Sequence, residues 1–261
     1  MAETYIQRDQ PAGVPPLALT GERTLPDVPA ENYWYRRHLA VYEWIGARLI
    51  GKRVVDMACG EGYGSEVLAR GAESVLGVEA NPEAFEHARL RYPRQNLRFE
   101  RGLVETHGGE GSFDAVVFLQ TIEHVHDPAA VLRHFATLLA PDGVVYVSTP
   151  NLLTIAPPGT AKSSNPWHLK EYRAHEFDAL CRTAFGQVEL LGLVHARRLR
   201  AHELALRLGW DAVHAWLRLT KPFYDRFTPS ITASDFALRA YGLDRALDFL
   251  AVCEAPRPHR P

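Results

Sequence analysis

Between Arg53 and Thr149, short apolar runs alternate with amphipathic stretches of helical spacing, and no other feature restricts the fold of this chain as tightly. The runs RVVDM (53–57), SVLGVE (74–79), LRFER (97–101), FDAVVFL (113–119) and GVVYVST (143–149) have the length and composition of strands. Strands separated by helices must be joined by crossovers, which predicts a parallel sheet covered by helices on its faces. Between the last two runs, Val131, Leu132, Phe135, Leu138 and Leu139 form one apolar helix face, and Pro141-Asp142-Gly143 ends that helix with a turn. His126 and Asp127, just before Pro128, read as the start cap of the same helix.

The flanking regions behave differently. Five prolines before residue 30 (Pro11, Pro15, Pro16, Pro26 and Pro29) predict an extended arm lying across the domain. A helix is predicted over 33–49, with Trp34, Val41, Trp44, Ile45 and Leu49 on its apolar side and Arg36, Arg37 and Arg48 toward water or a ligand. After Pro150 comes a Pro- and Ser-rich loop (150–166), then a helix at 173–184, a strand at 187–194 and a last strand at 247–253. In between, Leu206, Trp210, Val213 and Leu217 make a helical stripe, followed by a short helix near 233–241; we expect a helical cap over the active site. His134, His202 and His214 read as solvated helix positions. The expected units are an arm and covering helix (1–50), a core (51–196), a cap insertion (197–242) and the last core strand with its tail (243–261).

At 261 residues, 46% hydrophobic and 23% charged, the chain suits one elaborated α/β domain. A net charge of -2 gives no global attraction to nucleic acid or anionic lipid. No run approaches the roughly 18 apolar residues of a membrane span. Nucleic acid and membrane are therefore not expected partners, leaving a small-molecule or oligosaccharide substrate and, at most, a second copy as a homodimer. Cys59, Cys181 and Cys253 are odd in number and far apart, which suggests a reducing, cytoplasmic setting.

The chemistry starts in VVDMACGEGYGS (54–65), where a buried strand ends at Asp56 and opens into Gly60-x-Gly62-x-Gly64. Glycines there let the backbone bend sharply and approach a ligand. A dinucleotide fingerprint would put its third glycine at position 65, which is Ser65 here. That spacing, with an acid before the loop to meet an ammonium group directly or through water, favours S-adenosylmethionine. Nineteen residues after Gly60, Glu79 ends the second strand, where a carboxylate can accept both ribose hydroxyls.

Together with FDAVVFLQTIEHV and LAPDGVVYVSTPN, these residues resemble the class I S-adenosylmethionine-dependent methyltransferases over about residues 50–195. The resemblance implies a Rossmann-like α/β fold, with a seven-stranded mostly parallel sheet whose last strand is antiparallel. It also implies that the Leu103 backbone meets adenine and that Gln120 lines the methionine end. Gly102 stands where the family often has an Asp or Asn, which shifts adenine recognition to the backbone or to Glu105. The candidate cofactor contacts are thus Asp56, Ala58, Gly60, Gly62, Glu79, Ala80, Leu103 and Gln120.

An alcohol acceptor gains from a general base or a Lewis-acidic cation. Glu123 and His124 follow the 113–119 strand, and His168 sits in NPWHLKEY; these are the catalytic candidates, with Glu123 also a candidate ligand for Mg2+. The alternative for His124 and Glu123 is a structural role in holding their loop. The stretch LTGERTLPDVPAENYWYRRH (19–38) could close over the pocket. With STPN, NPWH and DFLAV it resembles actinobacterial sugar O-methyltransferases that act on position 1 of 3-O-methylmannosides in methylmannose polysaccharide synthesis. That resemblance implies a sugar hydroxyl as acceptor, with Trp34, Trp167 and Trp210 available to stack on sugar C–H faces. A small natural-product or phenolic acceptor, a nicotinamide-dependent oxidoreductase and a non-catalytic binding module are the competing readings.

Overall fold

The computed structural model describes residues 4–5, 7, 10–18, 24–157, 159–160 and 162–257. Among the described residues before Pro29, the N-terminal arm forms a two-stranded ribbon, β1 (Thr4–Tyr5) with β2 (Leu17–Ala18), and no helix, as its prolines predict. Leu17, Leu25 and Val28 pack as a small cluster, and the carbonyl of Pro15 accepts from His87 Nδ1 at 2.8 Å, fastening the arm to the domain. Positions 19–23 of the stretch read as a pocket cover lie outside the described residues.

The predicted runs become β3 (Arg53–Met57), β4 (Ser74–Glu79), β5 (Leu97–Arg101), β6 (Phe113–Leu119) and β7 (Leu139–Pro150). They are followed by β8 (Phe185–His195), β9 (Phe236–Arg239) and β10 (Asp248–Pro256). Among the described residues they form one eight-stranded sheet in the order β5-β4-β3-β6-β7-β10-β8-β9. The first five are mutually parallel, and β10 runs antiparallel to both β7 and β8, as expected of the last strand. The eighth strand replaces the helix expected near 233–241: a single 3-10 turn (Ala233–Asp235) leads into β9, which pairs antiparallel with β8 at the sheet edge.

Successive side chains of a strand point to opposite faces, so Val54 and Val55 enter different cores. On one face, α1 (Asn32–Gly46), α2 (Tyr63–Ala69) and α3 (Pro82–Arg91) cover Val54, Ala115 and Val117. On the other, α4 (Pro128–Leu138) buries Val131, Leu132, Phe135 and Leu138 as its sequence predicts, and α6 (Ala174–Cys181) adds Phe177. Asp127 caps α4 by accepting from Ala130 N. The strand after α4 begins at once, so Pro141-Asp142-Gly143 lies within β7, with Asp142 at φ 62°. A one-turn helix, α5 (Leu152–Ile155), starts the loop beyond β7.

Arg37, expected toward water or a ligand, and His214, expected to be solvated, are both buried. Arg37 of α1 makes a bidentate ion pair with Asp248 of β10 and also donates to Leu247 O at 2.9 Å. A charge this deep persists only with a partner of this quality. His214 is 2% exposed among aromatic rings of the cap. The cap is three helices rather than one stripe: α7 (Arg197–Arg207), α8 (Trp210–Trp216), entered through Gly209 at φ 87°, and α9 (Thr220–Ser230).

Candidate active site

Beyond β3 the chain turns outward through β4, and beyond β6 it turns the other way through β7, so the carboxyl ends of β3 and β6 diverge at a topological switch point. A cavity of about 400 Å3 opens there. It is lined by the glycine loop (Ala58, Cys59, Gly60, Glu61, Tyr63), by Glu79, by Leu119, Gln120, Thr121 and His124, and by Thr24, His38, Tyr42 and Trp167. Ala58 (φ 57°) and Gln120 (φ 51°) both occupy the left-handed region that disfavours side chains. Such strain persists where surrounding structure enforces it, and here it marks the two strand ends that frame the cavity.

Glu79 Oε2 accepts from Gly60 N and Oε1 from Asn81 N, each at 2.8 Å, so the carboxylate is fixed by two backbone donors at the cavity wall. Asp56 has a different place. It is fully buried, accepts from Ser65 Oγ at 2.6 Å and Tyr42 Oη at 3.3 Å, and does not line the cavity. Burial raises its pKa to about 7, opposed by those two hydroxyls.

The three glycines serve separate purposes. A Cβ on Gly60 would meet nothing within 4 Å, leaving its backbone open to the cavity. Gly62 (φ 95°) is crowded by Ala88 and Phe99, so packing inside the domain, as well as the turn, excludes a side chain there. A Cβ on Gly64 would fall 2.1 Å from the Tyr42 ring, so the glycine spacing that departs from the dinucleotide pattern is the imprint of α1 lying across α2. Gly102 is likewise explained by His107, whose ring would lie 2.3 Å from a Cβ. Leu103 is 59% exposed and, like Ala80, stands outside the residues lining the cavity.

The far wall joins segments distant in sequence. A 3-10 turn (Ile122–His124) receives the 165–171 loop: Glu123 O accepts from Leu169 N at 2.8 Å and Lys170 N at 3.2 Å. The His124 and His168 rings pack edge to face at 4.9 Å. Trp167 O can only accept, so His124 Nδ1 at 2.9 Å carries the proton and the ring lone pair is on Nε2. For His168 the network gives the same tautomer and engages both ring nitrogens. Asn165 Oδ1 accepts from Trp167 N, which turns the Asn165 amide N–H toward His168 Nε2 at 2.9 Å; Nδ1 therefore donates to Glu171 at 2.7 Å. His168 is 4% exposed and does not line the cavity. Glu123 is buried, accepts from Thr149 Oγ1 at 3.0 Å, and has its pKa raised by burial to about 8. One ligand atom each from Glu123, His124 and His168 lie within 4.8 Å of one another.

Of the tryptophans considered for stacking, Trp167 lines this cavity, whereas Trp34 lies outside it and Trp210 lines another. No residue from 197–242 lines it. Sequence reasoning missed Tyr42, Tyr63 and His38. The first two pack edge to face at 5.6 Å, and His38 contacts Thr24 Oγ1 at 3.4 Å, with burial lowering its pKa to about 4. The available signal was the i, i+4 spacing of His38 and Tyr42, which puts both on one face of α1.

Residues 33–206 match the family model of a methyltransferase domain. A probable S-adenosylmethionine-dependent methyltransferase of Mycobacterium tuberculosis is 37% identical over 251 residues, covering 92% of this chain and 90% of that protein. A ubiquinone biosynthesis O-methyltransferase of Aeromonas salmonicida is 38% identical, over 42% of this chain and 49% of its own length. In fold, the chain is similar to a possible histamine N-methyltransferase of Thermotoga maritima (TM-score 0.58, 16% identity, 86% of this chain and 94% of that one). An S-adenosylmethionine-dependent methyltransferase of Mesorhizobium loti gives a TM-score of 0.53 at 20% identity, over 82% of this chain and 97% of that one. With two thirds of its length matching that family model and a relative 37% identical along nearly all of both chains, the chain belongs to the S-adenosylmethionine-dependent methyltransferases.

Proposed function

We propose that this methyltransferase acts on a sugar hydroxyl, at position 1 of a short 3-O-methylmannoside, with His124 as general base. The observation that carries the reading is the placement of His124: its ring lines the cavity beside Gln120 and Thr121, held there by Nδ1–H donation to Trp167 O at 2.9 Å. An alcohol is a poor nucleophile and gains about 10² to 10⁴ from a positioned base. S-adenosylmethionine supplies the methyl group, and this chain contributes binding and alignment. Gly60 leaves its backbone open to the cofactor, and the Glu79 carboxylate, already oriented by Gly60 and Asn81, accepts the ribose hydroxyls. Of the remaining assigned contacts, Ala58 and Gln120 line the same cavity, whereas Asp56, Gly62, Ala80 and Leu103 do not. Trp167 offers a half-exposed indole face at the mouth for a sugar ring. The motif resemblance to sugar O-methyltransferases supports the mannoside, and the partial similarity to a ubiquinone O-methyltransferase supports oxygen as the acceptor atom.

His168 and Glu123 are assigned positioning roles, holding the wall that carries His124. Glu123, His124 and His168 together also form a candidate divalent-cation site. Magnesium prefers oxygen ligands, so Glu123 with substrate hydroxyls fits it better than the two imidazoles do. All three cysteines are free and buried, which supports a reducing, cytoplasmic setting.

The test offers 3-O-methylmannosides, unmethylated mannosides and phenols, with magnesium or with chelator, and maps each product by NMR. Methylation at O1 of the 3-O-methylmannoside is the expected result. Turnover confined to a phenol or amine overturns the sugar assignment, and full activity in chelator removes the cation.

A further inference from the structure

We propose that the α7–α9 cap docks this enzyme on an anionic lipid bilayer. The whole-chain charge of -2 conceals a strong segregation. Residues 197–231 hold seven Arg and Lys against three Asp and Glu, a net charge of +4, so the rest of the chain carries -6. The same segment is the apolar outlier of the surface. Of fifteen large hydrophobic side chains exposed among the described residues, eight fall between Leu204 and Leu219. Trp216, 82% exposed, and Leu208, 81% exposed, are the most exposed of all.

A water-facing helix at a soluble surface has no use for this composition, and large apolar patches mark contact sites. Exposed Trp and Leu beside arginines is the chemistry of a helix lying in the headgroup region, where apolar side chains enter the acyl boundary and cations meet lipid phosphate. Charge selects this occupant over a second copy of the chain, because a symmetric contact would set one +4 face against another. The cap also has depth. A cavity of about 400 Å3 between α8 and α9 is lined by Trp210, Leu217, Phe223 and Phe227, with the exposed Arg226 beside them. His214 lines it too, and its buried Nδ1 lacks a hydrogen-bond partner. A glycerol or ester oxygen of a lipid entering the cavity supplies one.

None of these residues lines the cofactor cavity, so docking and cofactor binding are separable. The experiment is co-sedimentation of the full chain with vesicles of phosphatidylcholine alone or mixed equally with phosphatidylglycerol, at low and high salt. Binding is expected only on the mixed vesicles and is expected to fall with salt. Arg200→Ala with Arg218→Ala should weaken it by about 25-fold, roughly fivefold for each charge removed. Leu208→Glu with Trp216→Glu should abolish it while the melting temperature and S-adenosylmethionine affinity stay unchanged. Three outcomes overturn the proposal: no binding to mixed vesicles at low salt, equal binding to neutral vesicles, or retention of nucleic acid in place of lipid. Halving of the solution mass in the Leu208→Glu, Trp216→Glu variant without vesicle binding in the parent assigns the face to a second copy.

Discussion

The backbone N–H of Gly60 donates to Glu79 Oε2 at 2.8 Å, so the loop leaving β3 and the carboxylate ending β4 are set by one contact. Glu79→Ala releases Gly60 N and Asn81 N and, on the proposed assignment, removes the acceptor for the ribose hydroxyls. Hydrogen bonds to a charged group contribute about 1.5–3 kcal/mol each, so S-adenosylmethionine affinity should fall by about 100-fold or more. Titration calorimetry checks this. Unchanged affinity would remove Glu79 from the cofactor site.

Gly64→Ala should destabilise the fold by about 1–3 kcal/mol, the usual cost of overpacking, because the new methyl meets the Tyr42 ring. Tyr42→Leu should recover part of that loss in the double variant. Urea denaturation of the four proteins gives the coupling energy. Strict additivity would show that the two positions do not touch.

His124→Ala should lower kcat by about 10² to 10⁴ with little change in cofactor affinity. His168→Ala, which removes one hydrogen-bond partner from Glu171 and one from Asn165, should lower thermal stability and reduce kcat by a smaller factor. A larger kcat loss at His168 than at His124 would exchange their roles.

Asp56 has a folded pKa of about 7, above the ordinary carboxylate value of 3.8. The native state therefore holds the proton more tightly than the unfolded state. Between about pH 4 and pH 7 this residue makes stability fall as pH rises, and the slope from it ends above pH 7. Asp56→Asn keeps an acceptor but cannot ionise. Its stability relative to the parent should rise across that window, by a few kcal/mol at most, and level off above it. A pH-independent difference in melting free energy would contradict the assignment.

What the sequence determined by itself were the features that local spacing encodes. Strand runs, the α4 face from Val131 to Leu138 and the Asp127 cap are patterns within a few residues, and each came out in place; of the two acids, Glu79 lines the cavity and Asp56 does not. The antiparallel last strand, β10, also matched, although that expectation came through resemblance. What only the tertiary structure decided are contacts between distant segments. Arg37 looked like a surface charge because its partner Asp248 lies 211 positions away. Gly64 looked like a ligand-approach glycine because Tyr42, which excludes its Cβ, belongs to a different helix. His124 and His168 looked equivalent as bases until the fold put the His124 ring on the cavity wall and buried His168 behind it, with Asn165 and Glu171 on its two ring nitrogens. A sequence records which donors and acceptors a chain owns, but which proton sits on which nitrogen depends on the groups that folding brings within about 3 Å.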